Sequence, residues 1–273
     1  MKMTRLKQSF SIATLAISLI FLISSILPAG TTMHPDNLKC EYLTNPLGID
    51  VLQPRFFWTL NSLENGNRQT AFHILVASSK ENLAKDLGDM WDSGMVKSDE
   101  SIHIEYAGKN FSSSSYYFWK VKIWDQNSVE SSWSYPAFFS IGLLNKTDWK
   151  ADWVGAKPEE PWNGEGDPPI PVSPLLRTSF SIDEGIERAV VHVTALGLYE
   201  LRLNGEKVGD HILAPEWTDY LKRLQVQTYD VTDMLVDGEN AIGALLGDGW
   251  YAGRMGPIRW DENYPRRGGY GLD

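Results

Sequence analysis

A single cysteine, Cys40, stands in 273 residues, which excludes an internal disulfide and any cysteine-based metal site. It reads as an inert, partly buried thiol. The five histidines, His34, His73, His103, His192 and His211, never fall at an HxH or HxxxH spacing, so a zinc site is not expected. His73 and His192 sit in alternating patterns and read as strand-face residues. No basic block follows residue 7 and the net charge is −10, which argues against a nucleic-acid backbone or an anionic membrane face as partner. A neutral ligand fits better. No phosphate loop is present: Gly247-x-Gly249-x-x-x-Gly253 lacks the Lys-Ser/Thr ending, and its third glycine comes one place late for a dinucleotide fingerprint. A nucleophile elbow is absent too. No cofactor is expected.

What the chain does have is apolar and aromatic side chains. A hydrophobic content of 42% supports real cores in one large or two ordinary domains, and 11 tryptophans supply flat faces of the kind that stack on sugars or pack inside β-sandwiches. Residues 1–32 read as an export signal. Lys2, Arg5 and Lys7 are its positive region, Ile12 to Leu27 its apolar stretch, and Pro28-Ala29-Gly30 its small-residue exit. About 16 apolar residues diluted by serine are short for a bilayer span. The expected location is therefore periplasmic or extracellular, with no membrane attachment after cleavage.

From 38 to 145 short strands alternate with turns. Phe56 to Leu60 is one strand, Asn65-Gly66-Asn67 a turn, Ala71 to Ala77 the next strand, and Lys80 to Leu87 one or two helical turns. Tyr116 to Trp124 alternates with Tyr117, Trp119, Val121 and Ile123 on one face and the lysines on the other, as a half-buried sandwich strand does. Asp125 to Ser128 is the following turn and Ala137 to Ile141 closes the unit. Residues 146–174 read as a linker rich in Trp, Gly and Pro, pinned by Trp149 to Val154. From 175 a second all-β domain starts. Its expected strands are Arg177 to Ser181, Glu187 to Ala195, Tyr199 to Leu203 with the hairpin signal Asn204-Gly205, Val226 to Thr232, and Asn240 to Leu246.

The last of these runs into Gly247-Asp248-Gly249-Trp250-Tyr251-Ala252-Gly253-Arg254. Two readings of this stretch stay open. In one, glycines hold a loop that turns Trp250 and Tyr251 toward a sugar, with Asp248 accepting from hydroxyls and Arg254 donating. In the other, a Gly-rich bend packs its aromatics inside the sandwich.

The order of Leu38 to Leu43, Asn45-Pro46-Leu47-Gly48-Ile49, Pro54 to Trp58, Gln69 to Ala77 and Trp91-Asp92-Ser93-Gly94 resembles the fibronectin type III-like domain that begins bacterial alpha-L-rhamnosidases. Gly197 to Gly205, Val208-Gly209-Asp210, Leu213 to Tyr220 and Leu246 to Arg254 resemble the N-terminal jelly-roll domain of the same enzymes, a galactose-binding-like sandwich. This resemblance implies an all-β chain, a fibronectin III-like sandwich followed by an incomplete jelly roll over 175–273. A jelly roll needs about eight strands, and five or six are legible after Leu175. It implies a rhamnose-containing carbohydrate as partner, and a catalytic (α/α) barrel beyond Asp273 in which the acid and base lie. Related accessory domains can hold rhamnose through calcium, for which Asp248, Asp261 and Asn263 offer oxygens; ordinary turn roles for these three are favoured, so no metal is expected. A non-catalytic carbohydrate-binding protein and a surface adhesion protein are the alternatives.

Glycoside hydrolysis needs two carboxylates across one bond. Asp261-Glu262, Glu159-Glu160 and Asp183-Glu184 are adjacent in sequence, but neighbours in a turn or strand point apart and none has an apolar pocket to raise one pKa. No catalytic residue is assigned. The purified chain is therefore expected to release no more aglycone from an aryl rhamnoside than buffer does. Turnover abolished by substituting an acidic residue between 38 and 273 would contradict this.

Overall fold

A computed structural model describes residues 31–156, 173–183 and 185–252. The chain packs as two compact units. One runs to Tyr42 and takes in Arg55–Gly108 and Trp119–Ala137; the other takes in Leu43–Pro54, Lys109–Phe118 and the chain from Phe138 on.

The first half of the chain forms two antiparallel sheets. β1 (Met33–Cys40), β2 (Arg55–Ser62) and β5 (Ile104–Glu105) make one, in the order β1-β2-β5; β3 (Gln69–Ala77), β4 (Trp91–Asp92), β6 (Tyr116–Asp125) and β7 (Ala137–Ser140) make the other, in the order β4-β3-β6-β7. Aromatic side chains fill the space between them. Phe56 lies 4.4 Å from Trp119 and Trp58 lies 5.3 Å from Phe72, centroid to centroid. Trp58 also carries a donor into the core, and Gln69 accepts it at 2.9 Å while its own amide donates to the carbonyls of Ser98 and Glu100. That closed network lets a glutamine sit buried, because every polar atom has a partner.

Most local expectations hold here. The helix is the single turn α1 (Lys80–Ala84), started by Ser79, whose hydroxyl accepts from Asn82 N. The Asp125 turn closes through its carboxylate, which accepts from the Asn127 and Val129 amides. Cys40 is fully buried, more so than expected, and burial pushes its thiol well above the ordinary range. His73 is a strand-face residue bound to Asp92 at 2.6 Å. β6 departs from its expected half-buried character. Lys120 is 6% exposed, its ammonium donating to Leu83 O at 2.7 Å and to Asp86. Its stem covers sheet while the C-terminus of α1 takes the charge, so alternation in β6 separates core from charge-capped surface.

After β7 a 3-10 turn, Lys146–Asp148, is closed by Asp148 accepting from Asn145 N at 2.9 Å. Trp153 is then 53% exposed and Val154 74%. These two side chains do not pin the linker as expected.

Among the described residues, the second half is a sandwich of a four-stranded and a two-stranded sheet. The four-stranded one has β10 (Leu198–Leu203), β11 (Glu206–Lys207), β13 (Gly238–Gly247) and β8 (Leu175–Ile182) in the order β11-β10-β13-β8; β9 (Val190–Val193) and β12 (Gln227–Asp230) form the other. The expected hairpin is present, with Asn204 and Gly205 at φ 51° and 91° between the paired residues Leu203 and Glu206. β9 is shorter than the expected run from 187 to 195. Tyr199, Leu201, Leu203, Val208, Tyr229 and Val231 form the core. Beside the core, the described residues border an apolar cleft of about 360 Å³ lined by Phe180, Ile182, Val190, Leu235 and Ile242.

One ion pair in the first sheet gives a pH test. Glu41 follows β1, and its carboxylate accepts from Arg55 N at 2.6 Å and Nη2 at 2.7 Å. The Arg55 hydrogen bonds hold its pKa below the ordinary value of 4.5, against burial. A depressed carboxylate contributes stability that is present above 4.5 and lost as pH falls through the folded value. Glu41→Gln should lower Tm by a few degrees at pH 7, and the gap to wild type should close as pH drops below 4.5. A gap that stays constant in thermal melts across that range would contradict this.

Candidate functional site

β13 is the central strand that delivers the Gly-rich stretch. It pairs along its length with β8 and with β10, where Gly247 stands opposite Leu198. Beyond it the backbones crowd. Gly197 has φ +89°, and a Cβ there would sit 2.9 Å from Asp248 O; a Cβ at Gly249, φ +50°, would sit 2.7 Å from Leu198 Cγ. Neither position accepts a side chain. The glycines therefore serve close approach of two chain segments, and the chain leaves this contact as the short helix α2 (Gly249–Ala252). The loop expected to turn Trp250 and Tyr251 toward one ligand is replaced by that helical turn. Successive residues on it diverge by about 100°, and each ring finds its own neighbour.

Trp250, 36% exposed, lies parallel to Trp217, 67% exposed, with centroids 6.5 Å apart and 15° between planes. Tyr251 meets Tyr220 edge to face at 5.4 Å. Both partners come from the long segment between β11 and β12. A turn with Leu213 at φ 59° and Glu216 at φ 77° is closed by Glu216 N donating to Leu213 O at 2.9 Å, and is tied to β10 where Tyr199 N donates to Ala214 O at 2.8 Å. Trp217 follows directly. Non-glycine residues with positive φ cost free energy that the surroundings must offset. Further along, Lys222 and Asp219 pair at 2.9 Å.

Of the four expected binding residues, Asp248 is half-buried after β13, and Trp250 and Tyr251 follow it with their rings on different neighbours. Arg254 lies outside the described residues, as do Asp261 and Asn263. Among the described residues no group of three His, Cys, Asp or Glu side chains is arranged to hold a metal ion. His192 is a strand-face residue as expected. The adjacent acidic pairs at 159–160 and 261–262 lie outside the described residues, as does Glu184. Trp217 and Tyr220 were not singled out as binding residues from sequence. The available signal was a tryptophan in a polar, Pro-containing segment with no strand or helix period to bury it.

Residues 35–145 match the family described as Rha78A-like, N-terminal immunoglobulin domain. Residues 184–269 match the family described as alpha-L-rhamnosidase N-terminal domain. The chain carries the N-terminal domains of the alpha-L-rhamnosidases. An alpha-L-rhamnosidase of Formosa agariphila is 36% identical over 235 residues, covering 81% of this chain and 25% of the relative. One from Alteromonas sp. is 38% identical over 237 residues, covering 85% and 26%. Among solved structures, the alpha-L-rhamnosidase from Dictyoglumus thermophilum superposes with a TM-score of 0.73 at 45% identity, over 80% of this chain and 25% of that one. The enzyme from Aspergillus terreus gives 0.69 at 30% identity, over 82% and 25%. The chain thus spans about a quarter of the length of these relatives.

Within the rhamnosidase N-terminal domain one polar atom stands out. The Tyr220 hydroxyl is buried with no hydrogen-bond partner among the described residues, and burial pushes its pKa up. A buried hydroxyl without a partner costs about 1–3 kcal/mol. Tyr220→Phe should leave the melting free energy unchanged or raise it by up to about 1 kcal/mol. A loss of more than about 1 kcal/mol in denaturant unfolding would show that the hydroxyl is satisfied in solution.

Proposed function

We propose that this chain is the accessory, carbohydrate-binding portion of an exported alpha-L-rhamnosidase that removes terminal alpha-L-rhamnose from glycosides or polysaccharides. The observation that carries the reading is the parallel, solvent-facing pair Trp217 and Trp250. Exposed indoles are costly to leave in water unless a ligand or partner covers them, and a flat apolar plate suits the C–H faces of a deoxyhexose. Asp248, two residues before Trp250 in sequence, carries a carboxylate, a group that accepts from hydroxyls. A net charge of −10 fits a neutral sugar better than a polyanion. Lys2, Arg5, Lys7 and the apolar stretch behind them support export, and similarity to enzymes named alpha-L-rhamnosidase over a quarter of their length supports placement in such an enzyme.

The test is titration of L-rhamnose and a rhamnose-containing oligosaccharide into the purified chain, followed by calorimetry. Trp250→Ala should weaken binding by about 1–3 kcal/mol, the scale of one lost aromatic contact. If Trp250 only packs against Trp217, the substitution will lower Tm while the folded fraction binds normally. Measuring both quantities on one sample separates these outcomes, and normal binding by the folded fraction would remove the tryptophan pair from the site.

A further inference from the structure

The β9–β12 sheet poses a stability question. Two strands alone are marginal in water, and these two lie far apart in the chain. Their inward side chains, Val191, Val193, Gln227 and Tyr229, belong to the sandwich core or its margin. Alternation leaves His192, Thr228 and Asp230 on the opposite face, with Thr228 paired to His192 and Asp230 to Val190. That outer face is covered by residues from far earlier in the chain, within the same compact unit.

The covering segments are tied to one another before they reach the sheet. Ser114 N donates to Gly142 O at 3.0 Å, Gly142 N to Ile49 O at 2.9 Å, and Gly48 N to Ser140 Oγ at 2.8 Å. From this base Ser114 Oγ meets His192 Nε2 at 3.0 Å, and His192 Nδ1 meets Thr228 Oγ1 at 2.9 Å, so one imidazole links the earlier segment to both strands. Burial holds His192 below the ordinary imidazole range; the neutral ring donates through one nitrogen and accepts through the other, and both hydroxyls can answer either role. Next to it, Tyr116 OH lies 3.4 Å from Asp230 Oδ2 and the Arg188 guanidinium sits 3.8 Å over the Tyr116 ring. Gly48 makes the closest approach. A Cβ there would fall 2.6 Å from Thr228 Cβ, so glycine lets the backbone lie directly on the sheet.

We propose that the segments 43–54 and 109–118 of the N-terminal sandwich are a structural wall of the rhamnosidase N-terminal domain, bracing the outer face of the β9–β12 sheet. The N-terminal sandwich is then more than a spacer. Its brace also reaches the segment carrying Trp217, because the inward Gln227 amide on β12 donates to Pro215 O at 3.4 Å.

Hydrogen exchange of the full chain tests this. Gly48→Ala is compared with Gly66→Ala, which imposes the same left-handed strain, φ +82° against +69°, but meets nothing within 4 Å. In the Gly48 variant, amides of 190–193, 227–230 and the 213–217 turn should exchange at least about ten-fold faster while β2 and β3 keep wild-type protection; the Gly66 variant should spare β9 and β12. Should the Gly48 variant fail to fold, Ser114→Ala with Arg188→Ala decides, with several-fold faster exchange in β9 and β12 expected. Wild-type protection of β9 and β12 in either interface variant, or equal acceleration by Gly66→Ala, would overturn the proposal.

Discussion

A buried phenol, Tyr199, holds the two sheets of the C-terminal sandwich together. Its hydroxyl donates to Gln227 Oε1 at 3.0 Å, lies 3.4 Å from Tyr229 OH, and is pushed far above the ordinary phenol range by burial. The Gln227 amide in turn reaches Pro215 O. In a low-dielectric core each of these polar atoms would be costly without the others, so the set fixes spacing as well as affinity between β10 and β12. The turn that carries Trp217 is fastened at two points, Ala214 O to β10 and Pro215 O to β12. Where the aromatic plate stands is thus decided in the core.

A second polar latch works at the other end of β13. Asn240 is 2% exposed; its amide donates to Val236 O and Gly238 O, and its carbonyl accepts from Val236 N and from Asn204 Nδ2. Asn204 closes the circuit by accepting from Ala241 N at 2.9 Å. One asparagine thus serves the hairpin through its backbone and the latch through its side chain. That is why Asn-Gly is both a turn signal and a packing requirement here.

Local order was legible to the extent that one period or one turn residue decided it. β3, β6, β10 and β13 follow two-residue alternation or a continuous apolar run, and Asn204-Gly205 forms the hairpin its chemistry requires. The misses share a cause, which is dependence on residues distant in sequence. Lys120 is buried because the end of α1 accepts its charge, and no pattern within β6 reports that. Gly249 reads locally as licence for a loop, whereas its role is set by Gly197 and Leu198 some fifty residues earlier. Trp217 carries no local sign of a binding role, since its pairing with Trp250 joins two segments that no local window contains.

Two surfaces of the C-terminal sandwich offer room, and their chemistry differs. The cleft bordered by Phe180, Ile182, Leu235 and Ile242 has aliphatic or phenyl walls apart from Arg188. A sugar placed there would lose hydration of its hydroxyls with few partners to replace water, at a cost of several kcal/mol. Trp217 and Trp250 are both exposed, so a ring stacked on them would keep its hydroxyls wet while its C–H face leaves water. Rigidity favours the same surface. Trp250 follows a backbone contact too tight for any residue but glycine, and Trp217 follows a turn fastened to both sheets, so little conformational entropy remains to be lost when a ligand stacks. On the proposed carbohydrate-binding reading, hydration and pre-organisation therefore favour the plate over the cleft.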